Sequence, residues 1–508
     1  MTANFQPSTT RGSSGRSGLC LLLAILAIFT AVNFLTGTRY PTAWQDEVLY
    51  TDPAANCYFG HGFTSSMWPA QPYGTFWAGN VPLHQFLLTG WFHLFGFSLL
   101  SARSMNYVLM AIAAFVLWRT WQKCGLVCSK SFSTVALLAI LCGTGTTISY
   151  RSARPDCIAI LMASLAFAAF TLPSAKHRKI TLFLLGIFFP AAGIQLVIFA
   201  FFFSGLLVVW TRGRLLPEVI SLGCGIAMGL GALAGLYAAH GALHRFIEGV
   251  TKYSNVGVPT LSLGQRLRNF WAYFTVDKSQ LGLLLVALGL LAARMLGLVR
   301  FAAGRLIFVI GAWFVVIGAM MILGKFPVYY SWMPGLPLAI GLASAMENAW
   351  RETVGRMWIC LSIASALCFS ALGLPMKMTA TALRWPDRNI NALDDYVRPN
   401  AAHPGWLLAD YQAYFSLKNS SNVVVAFPYL ETATPEEKAK IGMAIVQPSQ
   451  VGKVQEKLGD NWKGLTMPFI STWSAINSPN IHIFHMAKRL TTNPQDADWQ
   501  LCVYERTP

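Results

Sequence analysis

The chain has 508 residues, 55% of them hydrophobic and 12% charged, with a mean hydropathy of +0.48. A soluble domain carries about 25% charged residues, so an ordinary soluble enzyme is excluded, as are a disordered chain, a coiled coil and a small disulfide scaffold. The net charge of +17 is not a nucleic-acid signal: from Arg384 onward there are 12 basic and 12 acidic residues, and the excess lies in the apolar part, where basic residues orient helices.

Roughly twenty apolar residues cross a bilayer as a helix, and such runs follow one another through the first three quarters of the chain. Residues 1–17 are polar, Ser-rich and basic, and read as a disordered cytoplasmic N-terminus. Residues 18–36 form a longer apolar run than a cleaved signal peptide has, which predicts a first spanning helix that is kept. Residues 37–103 make a long outer loop. Within it, residues 81–97 place Gln85, Thr89 and His93 at i, i+4 and i+8 with Phe, Leu and Trp elsewhere, the pattern of a helix lying in the interface. Further spans are expected near 103–121, 131–149, 157–173, 180–194, 195–211, 216–238, 279–293, 305–323, 328–345 and 355–375, about eleven in all. With 81–97 interfacial, the inner loops hold 15 basic and three acidic residues; were it a span, every later loop would invert against the positive-inside rule.

Residues 377–508 are polar and turn-rich. They carry short β-type runs at 422–427, 481–484 and 501–504 and a helix near 435–440, and read as a small extramembrane α/β domain on the outer face. The predicted architecture is an α-helical polytopic membrane protein, residues 18–376, with that domain attached. The ten cysteines are scattered, most in apolar stretches where cysteine behaves as a small hydrophobe. Neither Cys124 with Cys128 nor His240 with His244 has further ligands at the spacing a metal site needs, so no metal or other cofactor is indicated.

Three outer stretches carry charge that could do chemistry. Asp46-Glu47 follows the first helix among Trp44, Tyr50 and Tyr58, with Asp52 close behind; a polar turn explains any one such pair, but a carboxylate at the bilayer edge is also where a general base meets a lipid-borne phosphate and a water-side hydroxyl. Between Asp52 and Glu218 the one acidic residue is Asp156, in Arg151-Ser-Ala-Arg154-Pro-Asp156, and there it either caps a helix or joins the first acidic pair. Lys325-Phe-Pro-Val-Tyr329-Tyr330 opens a late span; alone it reads as interface anchoring, while beside two acidic sites it supplies a cation for a leaving phosphate.

The acidic pair after the first helix, the later Arg-Pro-Asp and the Lys-x-Pro-x-Tyr before a late helix together resemble the polyprenyl-phosphate-sugar-dependent glycosyltransferases of the GT-C fold. The resemblance is greatest to the bacterial branch holding aminoarabinose transferase and relatives of protein O-mannosyltransferase. The stretch from Gly79-Asn-Val-Pro-Leu83 through Leu94-Phe-Gly96 to Ala102-Arg103 is similar to that family's first outer loop. The resemblance spans about residues 18–345. It implies Asp46 as catalytic carboxylate, Glu47 as its partner, Asp156 as a second acidic site, and Lys325 on the donor phosphate beside Tyr329 or Tyr330. Family members often carry a lysine before Pro-Leu, where this chain has Asn80-Val81; a second phosphate cation then comes from Arg154, Arg266 or Arg268. Tyr58 and His84 fall in the loop expected to meet substrate.

The function this implies is inverting transfer of a sugar from a polyprenyl phosphate to a hydroxyl of a lipid, glycan or protein acceptor, at the outer face of a bacterial inner membrane, with membrane lipids as surroundings and no nucleic acid. A secondary transporter is the alternative, although transporters place ionisable groups near the midplane and these acids gather at one face. A non-catalytic lipid-binding scaffold is the third reading.

Overall fold

The computed structural model describes residues 15–68, 71–255, 262–265, 267–268, 277–322, 328–352, 355–383, 385–386, 388–470 and 499–507. The first helix, α1 (Gly15–Thr36), leads into two shorter ones, α2 (Gln45–Tyr58) and α3 (Pro82–Phe95). Then come α4 (Leu99–Lys123), α5 (Lys130–Cys142), α6 (Thr144–Tyr150), α7 (Asp156–Phe170), α8 (Ala175–Ala192), α9 (Ile194–Trp210) and α10 (Leu216–Ala239). The helical part finishes with α11 (Leu243–Asn255), α12 (Lys278–Met295), α13 (Gly304–Ile322), α14 (Trp332–Arg351), α15 (Arg356–Ala371) and α16 (Leu374–Leu383).

Every span expected from the sequence is helical. Among the described residues, four helices (α1, α4, α10 and α12) are each long and apolar enough to cross a membrane, and two bent pairs raise that to six. Helices α7, α9 and α13 add shorter apolar stretches. The chain is a polytopic integral membrane protein with a small C-terminal sheet.

Two expected spans are not straight. The 131–149 segment breaks at Gly143 into α5 and α6, bent by 61°, and the 355–375 segment breaks into α15 and α16, bent by 45°. The breaks meet: a Cβ on Gly373 would lie 1.7 Å from the Cys142 carbonyl oxygen, so the missing side chain lets the two bends pack together. Close packing recurs between α8 and α10, where a Cβ on Gly225 or Gly229 would come within 2.1 Å of the Phe183 or Ile187 carbonyl oxygen. Small residues let helix backbones approach in this way without a hydrophobic drive between them.

Two members of the polar stripe on 81–97, Gln85 and Thr89, face inward, and the third, His93, is exposed. At 14 residues α3 is about 21 Å long, too short to cross about 30 Å of hydrocarbon. Its Gln85 side chain donates to the Tyr50 carbonyl (3.2 Å) and Thr89 bonds its own helix and the Ala54 carbonyl (3.4 Å), while Phe86, Leu87, Leu94 and Phe95 are exposed. Periodicity defined the stripe; the partner, helix α2, decides which side it takes.

Helix α17 (Ile390–Val397) opens the C-terminal part, followed by β1 (Trp406–Ala409), β2 (Val424–Val425), β3 (Ile441–Val446), β4 (Trp462–Gly464), β5 (Phe469–Ile470) and β6 (Gln500–Arg506). The order is β2-β1-β3-β6-β4, with β5 also on β6. Strand β1 is parallel to β2 and β3, and β6 runs antiparallel to its neighbours. The helix expected near 435–440 is present as Pro435–Ala439 with a Thr434/Glu437 capping box, and the run at 481–484 lies outside the described residues. One face of the sheet shares its core with Val48 and Leu49 of α2 and Met67 of the following loop. Helix α2 is thereby enclosed between the bundle and the sheet, and most of its residues are buried.

Candidate functional site: a buried charge cluster at one edge of the bundle

Asp46 and Glu47 occupy the first turn of α2, where the unpaired backbone amides favour negative charge. Neighbouring helical residues point about 100° apart, and these two meet different arginines. Glu47 is fully buried. Its two oxygens take Nε and Nη2 of Arg103, each at 2.6 Å, and Oε1 also accepts the Ala153 N–H at 3.0 Å. Arg103, fully buried as well, donates its remaining nitrogen to the Gly37 and Pro41 carbonyls at 2.6 and 2.9 Å. The pair is saturated, as a buried ion pair must be if its desolvation is to be offset.

Asp46 keeps 25% of its side chain exposed and pairs with Nη1 of Arg154, which is almost wholly buried. Nε of Arg154 donates to Asp156 at 2.8 Å, so one guanidinium joins the two acidic sites that the sequence kept 110 residues apart. Asp156 does not cap its helix: Pro155 is the N-cap residue and no side-chain cap bond forms. The Arg154 guanidinium lies 3.5 Å from the Tyr329 ring centroid and 5.6 Å from those of Trp44 and Tyr50. Burial opposes its charge, but the Asp156 and Asp46 carboxylates outweigh burial and hold its pKa well above the usual value. Burial pushes the Tyr50 hydroxyl up, so it stays neutral.

The loop carrying Arg154 is held by side chains from three directions. The Asn106 amide donates to the Ser152 and Arg154 carbonyls at 2.6 and 2.7 Å. Arg151 reaches back to α1 and beyond, donating to Asn33 Oδ1 (2.7 Å), Thr36 Oγ1 (2.9 Å) and the Tyr40 carbonyl (2.7 Å). The short turn Val328–Ser331 that presents Tyr329 and Tyr330 is tied through Ser331: its hydroxyl donates to Asp277 at 2.5 Å, and its carbonyl accepts from Gln280 at 2.6 Å. Gly145 of α6 sits so close that a Cβ there would lie 2.0 Å from the Ser331 hydroxyl.

His84 is completely buried on α3. Burial, and then the positive charge of Arg154, lower its pKa to about 3, which makes it a neutral imidazole beside the cluster. Tyr330 packs edge-on against Tyr329 at 4.8 Å. Tyr58, twelve residues beyond Asp46 and about 18 Å along the helix, instead packs on Phe92 and His93. Arg268 is exposed. Lys325 and Arg266 lie outside the described residues. His240 stacks on Phe76 at 4.0 Å and His244 is exposed beside Glu248, so the two do not converge.

Three functional-looking groups escaped the sequence reading: Asn106, Asp277 and, as a partner of Glu47, Arg103. A signal existed for Arg103, since an arginine followed by a long apolar helical run is a functional flag in a membrane segment. Asn106 and Asp277 had none, because their roles depend on loops far away in sequence.

No family model matches the chain, and no curated protein matches it. Among solved structures, ArnT from Cupriavidus metallidurans bound to undecaprenyl phosphate is similar over 97% of this chain and 98% of its own, with a TM-score of 0.56 at 14% identity. The arabinofuranosyltransferase AftD from Mycobacteria is similar over 96% of this chain and 40% of its own, with a TM-score of 0.47 at 14% identity. The architecture shared with ArnT over nearly the full length of both proteins, at an identity this low, identifies the fold: the protein has the GT-C membrane fold.

Proposed function

We propose that the protein is a membrane glycosyltransferase, moving a sugar from a polyprenyl-phosphate donor to an acceptor hydroxyl at the outer face of a bacterial inner membrane. The observation that carries this reading is Asp46: the partly exposed carboxylate of an otherwise buried charge cluster, at the outer edge of an ArnT-like bundle. The solved relative of that fold holds undecaprenyl phosphate.

In this reading Asp46 takes the proton of the acceptor hydroxyl as general base. The hydroxyl oxygen forms its bond to the anomeric carbon from the face opposite the phosphate. The bond from that carbon to the phosphate oxygen breaks, its electron pair leaves with the lipid phosphate, and the anomeric centre inverts. Lys325, which the sequence resemblance assigns to the donor phosphate, together with Arg154 and the hydroxyl-bearing Tyr329 and Tyr330, stabilises the charge that develops on the phosphate, the kind of fixed electrostatic contribution that dominates many transition states. Asp156 holds Arg154 in place. Glu47 acts through Arg103, fixing the turn of α2 that presents Asp46, and His84 lines the site as a neutral group. The N-terminus lies in the cytoplasm, residues 18–376 form the catalytic membrane domain, and residues 377–508 lie outside the membrane.

The test is release of free polyprenyl phosphate from a panel of polyprenyl-phosphate sugars, with purified wild type beside Asp46→Asn. Loss of a general base lowers turnover by about 10²–10⁴-fold, so release should all but vanish in a variant that remains folded. Release unchanged by Asp46→Asn would refute the assignment. Counterflow of a solute in proteoliposomes without any release would turn the reading to transport.

A further inference from the structure

The helix that bears Asp46 is poorly equipped to hold itself. It has 14 residues and contains Pro53, whose missing N–H cannot bond the Leu49 carbonyl. An isolated helix of about 12–15 residues is marginal even without proline, and an interior proline costs about 3 kcal/mol more. The position of Asp46 must therefore come from what packs on α2. On the bundle side that is the Glu47–Arg103 pair, with Ala54 and Ala55 against Leu88, Phe92, Ala102 and Met105. On the other side, Val48, Leu49 and Asp52 fall at i, i+1 and i+4 along a stripe that meets the C-terminal domain.

Asp52 is the polar centre of that second contact. It is fully buried. Oδ2 accepts from the Ser65 hydroxyl at 2.7 Å and the Ser66 N–H at 2.8 Å, both in the loop after α2. Oδ1 accepts from the Tyr414 hydroxyl at 2.7 Å, and the Lys418 ammonium stands 3.7 Å away. Tyr414 and Lys418 belong to the short helical turn Tyr414–Leu417 and its C-cap in the C-terminal domain, more than 360 residues further along the chain. The loop is pinned to the same domain by Ser66, whose hydroxyl donates to the Val424 carbonyl of β2 at 2.6 Å. A carboxylate buried to this degree and met by donors from two distant parts of the chain fixes a register that hydrophobic contacts among Val48, Leu49, Tyr414 and Leu417 would leave free to slide.

We infer that the C-terminal domain is one jaw of a clamp on the acid-bearing helix, and that Asp52 and Tyr414 are positioning residues which set where Asp46 stands relative to Arg154. The inference rests on the proposed role of Asp46. The domain is, on this account, an integral part of the site's framework, and an acceptor-recognition role alone would not require any of these contacts.

Tyr414→Phe removes the hydroxyl and keeps the ring in its core. Hydrogen exchange of the α2 amides is measured in the full-length protein, together with kcat and donor KM for release of polyprenyl phosphate. Losing a hydrogen bond to a buried charged group is worth about tenfold or somewhat more in an equilibrium, so α2 exchange should accelerate by about that factor, and kcat should fall severalfold while donor KM stays at the wild-type value. Thr434→Ala, which takes away a capping box elsewhere in the same domain, should move neither. Should Tyr414→Phe fail to fold, Lys418→Met serves the same comparison. Wild-type exchange and kcat in the Tyr414 variant would overturn the clamp, and so would an equal change in Thr434→Ala, which would reduce the effect to general loosening. If wild type releases no polyprenyl phosphate from any donor, the functional reading falls alone, because acceleration of α2 exchange still decides the clamp.

Discussion

At one edge of the bundle Arg103 and Glu47 are both fully buried, and Arg154 is 98% buried between Asp46 and Asp156. At the opposite edge, where α7 ends and α8 begins, Arg178 meets Glu218 with 22% of the arginine exposed, and Arg351 at the end of α14 meets Glu347 with 61% exposed. The chemistry of the pairs is the same; the solvent is not. Removing an ion from water costs several kcal/mol, offset only when every donor and lone pair finds a partner, whereas an exposed pair is nearly neutral in energy. The first edge accepts the desolvation of Arg103 and Glu47 and meets it with the Gly37 and Pro41 carbonyls and the Ala153 N–H, while Arg154 bridges Asp46 and Asp156.

The largest consequence should be seen at Arg103. Arg103→Ala leaves Glu47 buried with the Ala153 N–H as its remaining partner, and breaking a buried pair from one side costs about 3–5 kcal/mol. The midpoint of thermal unfolding in detergent should fall sharply. The double variant Arg103→Met with Glu47→Gln removes both charges and should recover much of that loss; a double variant no better than Arg103→Ala would mean that volume and not charge matters there.

A smaller effect belongs to His84. In the folded protein its pKa is about 3, lowered first by burial and then by Arg154, while in the unfolded chain it is about 6.5. Above pH 6.5 neither state binds the proton and the group contributes nothing to the pH dependence. As pH falls below 6.5 the unfolded state takes up the proton and the folded state does not, so stability drops by about 1.4 kcal/mol per pH unit, or roughly 2 kcal/mol by pH 5. In His84→Leu the decline between pH 7.5 and 5 should be shallower by that amount. An identical acid slope would show that His84 is protonated in the fold, beside a cation, and would contradict the burial of the site.

How much of this the sequence revealed depends on the range of the interaction. Helices were legible because an apolar run of span length has few alternatives in a membrane. The breaks at Gly143 and Gly373 were not, because each glycine sits in an apolar run and gains its meaning from the other. Asp46, Glu47 and Asp156 were legible as rare acids on one face. What each does was not: Glu47 is claimed by an arginine 56 residues away, and Asp52, six residues beyond Asp46, is claimed by a tyrosine 362 residues away. Within one seven-residue stretch the three acids receive three different partners, and only the folded chain distinguishes the one left partly exposed.

The comparison of the two edges is sharpest at its weak end. Glu347 is itself nearly buried, yet besides Arg351 it accepts the Cys128 N–H at 2.7 Å, so Arg351→Ala leaves the carboxylate with a good partner and removes only a solvent-screened charge. Such an i, i+4 pair is worth about 0.5 kcal/mol, and raising the salt concentration should erase even that in the wild type. Measured side by side in one detergent, Arg351→Ala should unfold within experimental scatter of wild type while Arg103→Ala does not. Comparable losses in the two variants would mean that burial does not separate the two edges after all, and that the outer cluster is held together by the same weak pairing as the inner one; the cluster would then lose its claim to be a site whose geometry the fold maintains at a cost.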